Sequence, residues 1–140
     1  MFSKHLENLD NLFRSLQQAK LQVKLSKCKF GRHKVIFLGH VVLNQGVLPN
    51  PTKTEAIVKM KPPVDIKGLQ RFLGMTSYYW RFIQNYAMIA ELLNQLLQKG
   101  SLFKWNEACQ FSFNALKEKL VTGPCRSLNE FILQLKRSVS

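Results

Sequence analysis

Leu6, Leu9, Leu12, Phe13 and Leu16 recur at three- and four-residue steps, which predicts an amphipathic helix over residues 4–19 with Ser3 placed to cap it. Leu21, Val23 and Leu25 then alternate with Gln22 and Lys24, the period of a short half-buried strand. A turn around residues 29–32 leads into a β-branched run from Val35 to Leu43, broken at Gly39. With Asn44-Gln45-Gly46 as a turn before Val47-Leu48, residues 35–48 read as a hairpin.

Pro49 marks a change of period. Asn50 can cap a helix that has Pro51 in its first position and an apolar face of Ala56, Ile57 and Met60, ended by Pro62-Pro63. Asp65 can cap the next, in which Leu69, Phe72, Leu73 and Thr76 form one stripe. Ile89, Leu92, Leu93, Leu96 and Leu97 form the stripe of a third, closed by Gly100. Residues 102–105 look like a short strand. Asn106 caps a helix through Cys109, Phe113, Leu116 and Leu120, stopped by Gly123-Pro124, and residues 131–134 look strand-like before a polar end. The expected class is α+β with helix predominating.

Composition narrows what such a chain does. It has 140 residues, with 21 Lys and Arg against 8 Asp and Glu, a formal charge of +13. Asp10 and Asp65 are the only aspartates, and no two acids lie within two positions of each other. Catalysis through paired metal ions draws on clustered carboxylates, so a self-sufficient site of that kind is not expected, nor is any resident metal or cofactor. The basic excess points to a polyanion, most simply nucleic acid. It is concentrated: no acid falls between Asn11 and Thr54, whereas Arg14, Lys20, Lys24, Lys27, Lys29, Arg32, Lys34 and Lys53 all do. No apolar run is long enough to span a bilayer, no signal-peptide pattern opens the chain, and Cys28, Cys109 and Cys125 form no close pair. An intracellular location without a membrane partner is the expectation. Cys28 and His33 have the spacing of half a zinc knuckle, but the companion ligands are missing.

Three collinear stretches carry a resemblance. They are Ser26-Lys27-Cys28-Lys29-Phe30 with Phe37-Leu38-Gly39-His40-Val41-Val42, then Pro49-Asn50-Pro51-Thr52-Lys53 with Ala56-Ile57, then Leu69 through Ile83, including Tyr78-Tyr79-Trp80-Arg81-Phe82. In that order they resemble the reverse transcriptase of gypsy-type LTR retrotransposons. Phe103-Lys104-Trp105-Asn106 and the run to Leu120 resemble the start of the RNase H-like segment that follows it. The resemblance implies a palm end over 1–48, a thumb over 49–100 and the opening of an RNase H-like domain over 101–140. It also implies missing chemistry. The family's Tyr-x-Asp-Asp motif precedes the Phe-Ser that Phe2-Ser3 resembles, and Leu135-Lys136-Arg137 stands where the first RNase H acid would follow its strand. No catalytic residue is therefore expected, and Mg²⁺ belongs only to the intact family enzyme.

The resemblance puts Phe37, Leu38, Gly39 and His40 in the place of a primer grip. There Gly39 would allow close backbone approach, Phe37 and Leu38 apolar contact, and His40 a phosphate donor. On spacing alone, Gly39 as a bulge and Phe37 as core fit equally well. In the thumb, Lys67, Arg71, Gly74 and Tyr78 share one helix face that could follow an RNA–DNA or DNA duplex by backbone and shape. Tyr79 and Phe82 are expected in the core rather than in a stacking platform. The function expected is that of a truncated, non-catalytic, duplex-binding piece of the enzyme. A host-retained basic architectural protein and a relic without function are the alternatives.

Overall fold

The computed structural model describes residues 2–123 and 125–139. In chain order its elements are α1 (Phe2–Gln18), β1 (Lys34–Phe37), β2 (His40–Leu43), β3 (Gly46–Pro49), α2 (Pro51–Val58), α3 (Ile66–Tyr78), α4 (Tyr86–Gln95), α5 (Glu107–Thr122) and α6 (Leu128–Val139). Short 3-10 turns cover Leu25–Lys27 and Trp80–Phe82. The chain divides into two units, Met1–Arg32 and His33–Ser140.

In the first unit, α1 forms where the three- and four-residue spacing predicts it, already includes Ser3, and buries none of its residues. Arg14 and Asp10 pair along the helix at 2.8 Å. The strand expected at residues 21–25 does not form. Leu21 and Leu25 are 61% and 71% exposed, so the alternating pattern has no sheet to pack on and the segment ends in a 3-10 turn.

The second unit opens with an antiparallel meander, β1-β2-β3, rather than one hairpin. Phe37 pairs with His40 around a two-residue turn, and Leu43 with Gly46 around the next. At Gly46, with φ +142°, an added Cβ would lie 2.3 Å from the Arg126 carbonyl oxygen. That close approach lets residue 126 pair with β3: Val47 and Arg126 exchange backbone bonds of 2.7 and 3.0 Å. Arg126 thus covers part of an edge that would otherwise be open.

The helices follow their caps. The Asn50 side chain accepts from the Thr52 amide ahead of α2, Asp65 from Gly68 at 2.6 Å ahead of α3, and Asn106 from Cys109 at 2.8 Å ahead of α5. Each holds an amide of the first turn that the helix itself leaves unpaired. The α3 stripe, Leu69, Phe72, Leu73 and Thr76, is buried, its apolar members in one core with Cys109, Phe113, Leu116 and Leu120 of α5, and the Phe72 and Phe113 rings lie 4.4 Å apart. Ile57 of α2, Ala90 and Leu93 of α4 and Val47 of β3 complete this core. Lys117 of α5 lays its ammonium over the Phe113 ring and donates to the Met60 carbonyl, which ties α5 to the end of α2. Burial lowers the pKa of that ammonium.

Several expectations change. Leu92 and Ala56 face outward, and Ala90 takes the buried position on α4. Residues 102–105 form no strand; Phe103 and Trp105 stack as irregular chain beside α5, with the Trp105 Nε1 donating to Gln110 at 2.9 Å. Residues 131–134 lie in helix α6, not in a strand. Leu128, Phe131 and Leu135 recur at helical steps, and Phe131 is buried against the core with Leu135 beside it. Of the stop at Gly123-Pro124, Gly123 ends α5, and Pro124 lies outside the described residues.

We expect Phe113→Ala to cost roughly 3–5 kcal/mol of folding free energy, because the cavity would open between α3 and α5. Leu92→Ala should cost under about 0.5 kcal/mol. Urea unfolding of the two variants measures the contrast.

Candidate nucleic-acid interface

The β1–β2 turn is the centre of this surface. Leu38 and Gly39 have φ of 47° and 73°, the positive values at both positions that a type I′ hairpin turn needs. Leucine pays sterically for that conformation, so something must hold it. The holding groups come from the end of α3. The Tyr78 hydroxyl makes a short hydrogen bond to the Leu38 carbonyl, and the Tyr79 hydroxyl donates to the Gly39 carbonyl at 3.0 Å. The Gly39 carbonyl also accepts from the Asn50 amide at 3.0 Å, which binds the turn to the start of α2.

His40 lies beneath the turn rather than on it. It is only 5% exposed, within 4.9–5.6 Å, centroid to centroid, of the rings of Tyr78, Tyr79, Phe82 and Phe131. Its Nδ1 sits 2.8 Å from the Leu38 carbonyl oxygen; that oxygen can only accept, so Nδ1 carries the proton. The surface phosphate donor expected at this position is therefore replaced by a buried ring supporting the turn from inside. Burial lowers its pKa below the usual 6.5, and the bond to Leu38 opposes that shift.

Phe37 and Leu38, by contrast, are 49% and 54% exposed, so Phe37 is not a core residue. Lys67, Arg71, Gly74 and Tyr78 all lie on the exposed side of α3, opposite its buried stripe. A Cβ at Gly74 would meet nothing within 4 Å, so no neighbour inside the molecule requires a glycine there. Tyr78 belongs to both sets: it ends the α3 face and bonds the turn. Beside the turn, against α2 and the end of α3, lies a shallow groove of about 470 Å³ whose wall includes Leu38, Gly39, Lys53, Ala56, Met75 and Tyr78.

Two members of this arrangement escaped the sequence reading. Tyr79 was expected to be core and is buried, but its hydroxyl also clamps the turn. Lys53 belongs to the basic stretch and to the Pro49–Lys53 motif without a site role of its own, and the start of α2 brings it to the groove. The adjacent Tyr78-Tyr79 pair at a helix end was the available signal, since a buried tyrosine hydroxyl needs an acceptor. Among the described residues, no group of three or more His, Cys, Asp or Glu side chains converges as metal ligands. Asp10 pairs with Arg14, and Asp65 caps α3.

Known proteins share this arrangement of elements. The chain is 35% identical, over 130 residues, to an uncharacterized mitochondrial protein of Arabidopsis thaliana, covering 91% of this chain and 82% of that one. It is also 35% identical over 130 residues to the retrovirus-related Pol polyprotein from transposon 297 of Drosophila melanogaster. The chain is a homologue of retrovirus-related Pol polyproteins of retrotransposons. The match to transposon 297 covers 92% of this chain but 12% of the polyprotein, so the chain spans a small part of that longer relative. Among solved structures, the foamy viral protease-reverse transcriptase in complex with double-stranded DNA superposes with a TM-score of 0.72 at 25% identity, covering 91% of the segment and 23% of that chain. The same viral protein in complex with an RNA/DNA hybrid gives 0.70 and 25%, covering 91% and 18%. No protein-family model matches the segment. No described helix is long and apolar enough to cross a membrane.

The lowered His40 pKa has a definite sign for stability. The unfolded chain binds a proton there more readily, so the contribution is present above the ordinary value of 6.5 and is lost as pH falls through the lower folded value. Urea midpoints should therefore drop on acidification below about pH 6.5. In His40→Phe, which keeps an aromatic ring in place while Tyr78 still satisfies the Leu38 carbonyl, that part of the slope should disappear.

Proposed function

We propose that this Pol segment is the primer-template-holding part of a gypsy-type LTR retrotransposon reverse transcriptase, acting by binding and without catalysis of its own. The β1–β2 turn takes the place of the primer grip, and α2 to α4 form the thumb. Residues from 101 onward correspond to the opening of the RNase H-like domain. The substrate is an RNA–DNA or DNA duplex, held by its backbone and shape rather than by base sequence.

The observation that carries this reading is the bond from Tyr78 to the Leu38 carbonyl, which makes the turn and the exposed α3 face one continuous surface. Along it Lys67 and Arg71 offer charge to phosphates, and Lys53 stands at the groove. Phe37 and Leu38 offer apolar contact at the turn, with Gly39 at its tip and His40 supporting it from below. Gly74 is the informative residue on α3. A helix-interior glycine costs about 1 kcal/mol relative to alanine, and internal packing asks for none here. Close approach of an outside backbone accounts for it. The complexes of the foamy viral enzyme with double-stranded DNA and with an RNA/DNA hybrid support the same choice of partner. The lack of catalysis rests on the carboxylates, because both aspartates already serve as an ion-pair partner and a helix cap.

Fluorescence anisotropy with a labelled RNA/DNA hybrid should show binding that weakens steeply with salt. Lys67→Ala and Arg71→Ala should each reduce the slope of log affinity against log salt by about 0.9. Gly74→Ala should raise folding stability by about 1 kcal/mol while weakening duplex binding, two effects of opposite sign that ordinary packing does not produce. Equal affinity in all three variants would refute the proposed surface. Incorporation of nucleotides by the purified segment with Mg²⁺ above a heat-killed control would refute the absence of catalysis.

A further inference from the structure

A second cleft, of about 630 Å³, lies between the chain from Trp80 to Ala87 and helix α6, and shares no lining residue with the groove beside the turn. Its apolar part includes Phe82, Ile83 and Phe131, which are 4%, 3% and 6% exposed. Its charged lining is Arg81, Arg126 and Arg137 against the single acid Glu130. Arg126 spends its Nε, at 2.8 Å, and its Nη2 on the Arg81 carbonyl oxygen, and its Nη1 stands 4.0 Å from the Glu130 carboxylate. This cation is held in place by a neutral acceptor and only loosely neutralised. The Nε of Arg81 is buried and has no hydrogen-bond partner, and its guanidinium lies 5.1 Å from the centroid of the Trp80 ring. Trp80 itself is 49% exposed.

Such a lining asks for an anion attached to a flat apolar body. Guanidinium groups match phosphate oxygens through paired donors, and an exposed indole offers a face on which an aromatic base stacks. The volume is that of a small-molecule pocket and not of a surface that follows a duplex. Helix α4 also starts at this cleft without a side-chain cap, behind Asn85 at φ +59°, which adds a favourable dipole for negative charge. We propose that the cleft binds one nucleotide, its phosphate on Arg81, Arg126 and Arg137 and its base on Trp80 beside the apolar floor. A free nucleotide and the terminal unit of a single strand present this same chemistry.

The test titrates the full chain with dAMP and follows tryptophan fluorescence. Quenching should saturate, disappear in Trp80→Phe, and require about tenfold more ligand in Arg81→Gln and in Arg137→Gln. Arg137 is an exposed helical residue, so its variant keeps the test valid if Arg81→Gln fails to fold. Deoxyadenosine should bind at least about tenfold more weakly than dAMP, and inorganic phosphate should compete with it. A 5′-phosphorylated oligo(dA) that binds more tightly with the same variant pattern identifies a strand end as the source, and equal binding identifies the free nucleotide. Lys67→Ala and Arg71→Ala should leave dAMP binding unchanged, which separates this site from the duplex surface; loss of binding in those variants would overturn it. So would the absence of Trp80-dependent quenching at millimolar dAMP, affinity indifferent to both arginine variants, or displacement of dAMP by a triglutamate peptide at equal concentration.

Discussion

Burial of one stripe of α3 in the core, with the Phe72 and Phe113 rings 4.4 Å apart, fixes which residues that helix leaves at the surface. Leu69, Phe72, Leu73 and Thr76 are buried, the Thr76 hydroxyl beside that of Tyr86 in α4, and Lys67, Arg71 and Gly74 are left on the exposed side. The same packing brings the end of α3 to the β1–β2 turn, where Tyr78 and Tyr79 reach across 40 residues of sequence to the two turn carbonyls. A helix is rigid about its axis, so packing one stripe decides where the others point.

The turn shows how packing sustains a backbone that its sequence does not favour. Leu38 would not choose φ of 47° on its own account. Two tyrosine hydroxyls, the Nδ1 of His40 and the Asn50 amide converge on the carbonyls of Leu38 and Gly39, and together they outweigh that cost. The aromatic rings that carry these donors also enclose His40, so the buried polar network is satisfied rather than stranded. The result is a turn that stays exposed at Phe37 and Leu38 while being held from beneath.

The helical half was legible because its signals are local. Asn50, Asp65 and Asn106 each cap the helix they precede, and the stripes through Phe72 and Phe113 are buried as their spacing implies. The strands were harder, since a strand exists only if a partner pairs with it. The alternation at Leu21, Val23 and Leu25 met no sheet, and the apolar run at Phe131 packed as a helix against the core. Lys67, Arg71, Gly74 and Tyr78 could be grouped by helical period alone. The depth of His40 could not, because the rings of Tyr78, Tyr79, Phe82 and Phe131 come from two stretches of chain distant from it.

By itself the sequence determined the caps, the amphipathic stripes, the basic excess of +13 and the scarcity of aspartate. All of these depend on residue type and near-neighbour spacing. Tertiary structure alone decided that the turn and the α3 face meet at Tyr78, that His40 is a support and not a surface donor, and that Arg126 crosses to β3 and to the Arg81 carbonyl. The Tyr78 and Arg126 contacts join groups 40 or more residues apart, and the burial of His40 needs the rings at positions 78–82 and 131. No local pattern encodes such an approach, because it is the packed core that brings the distant segments together.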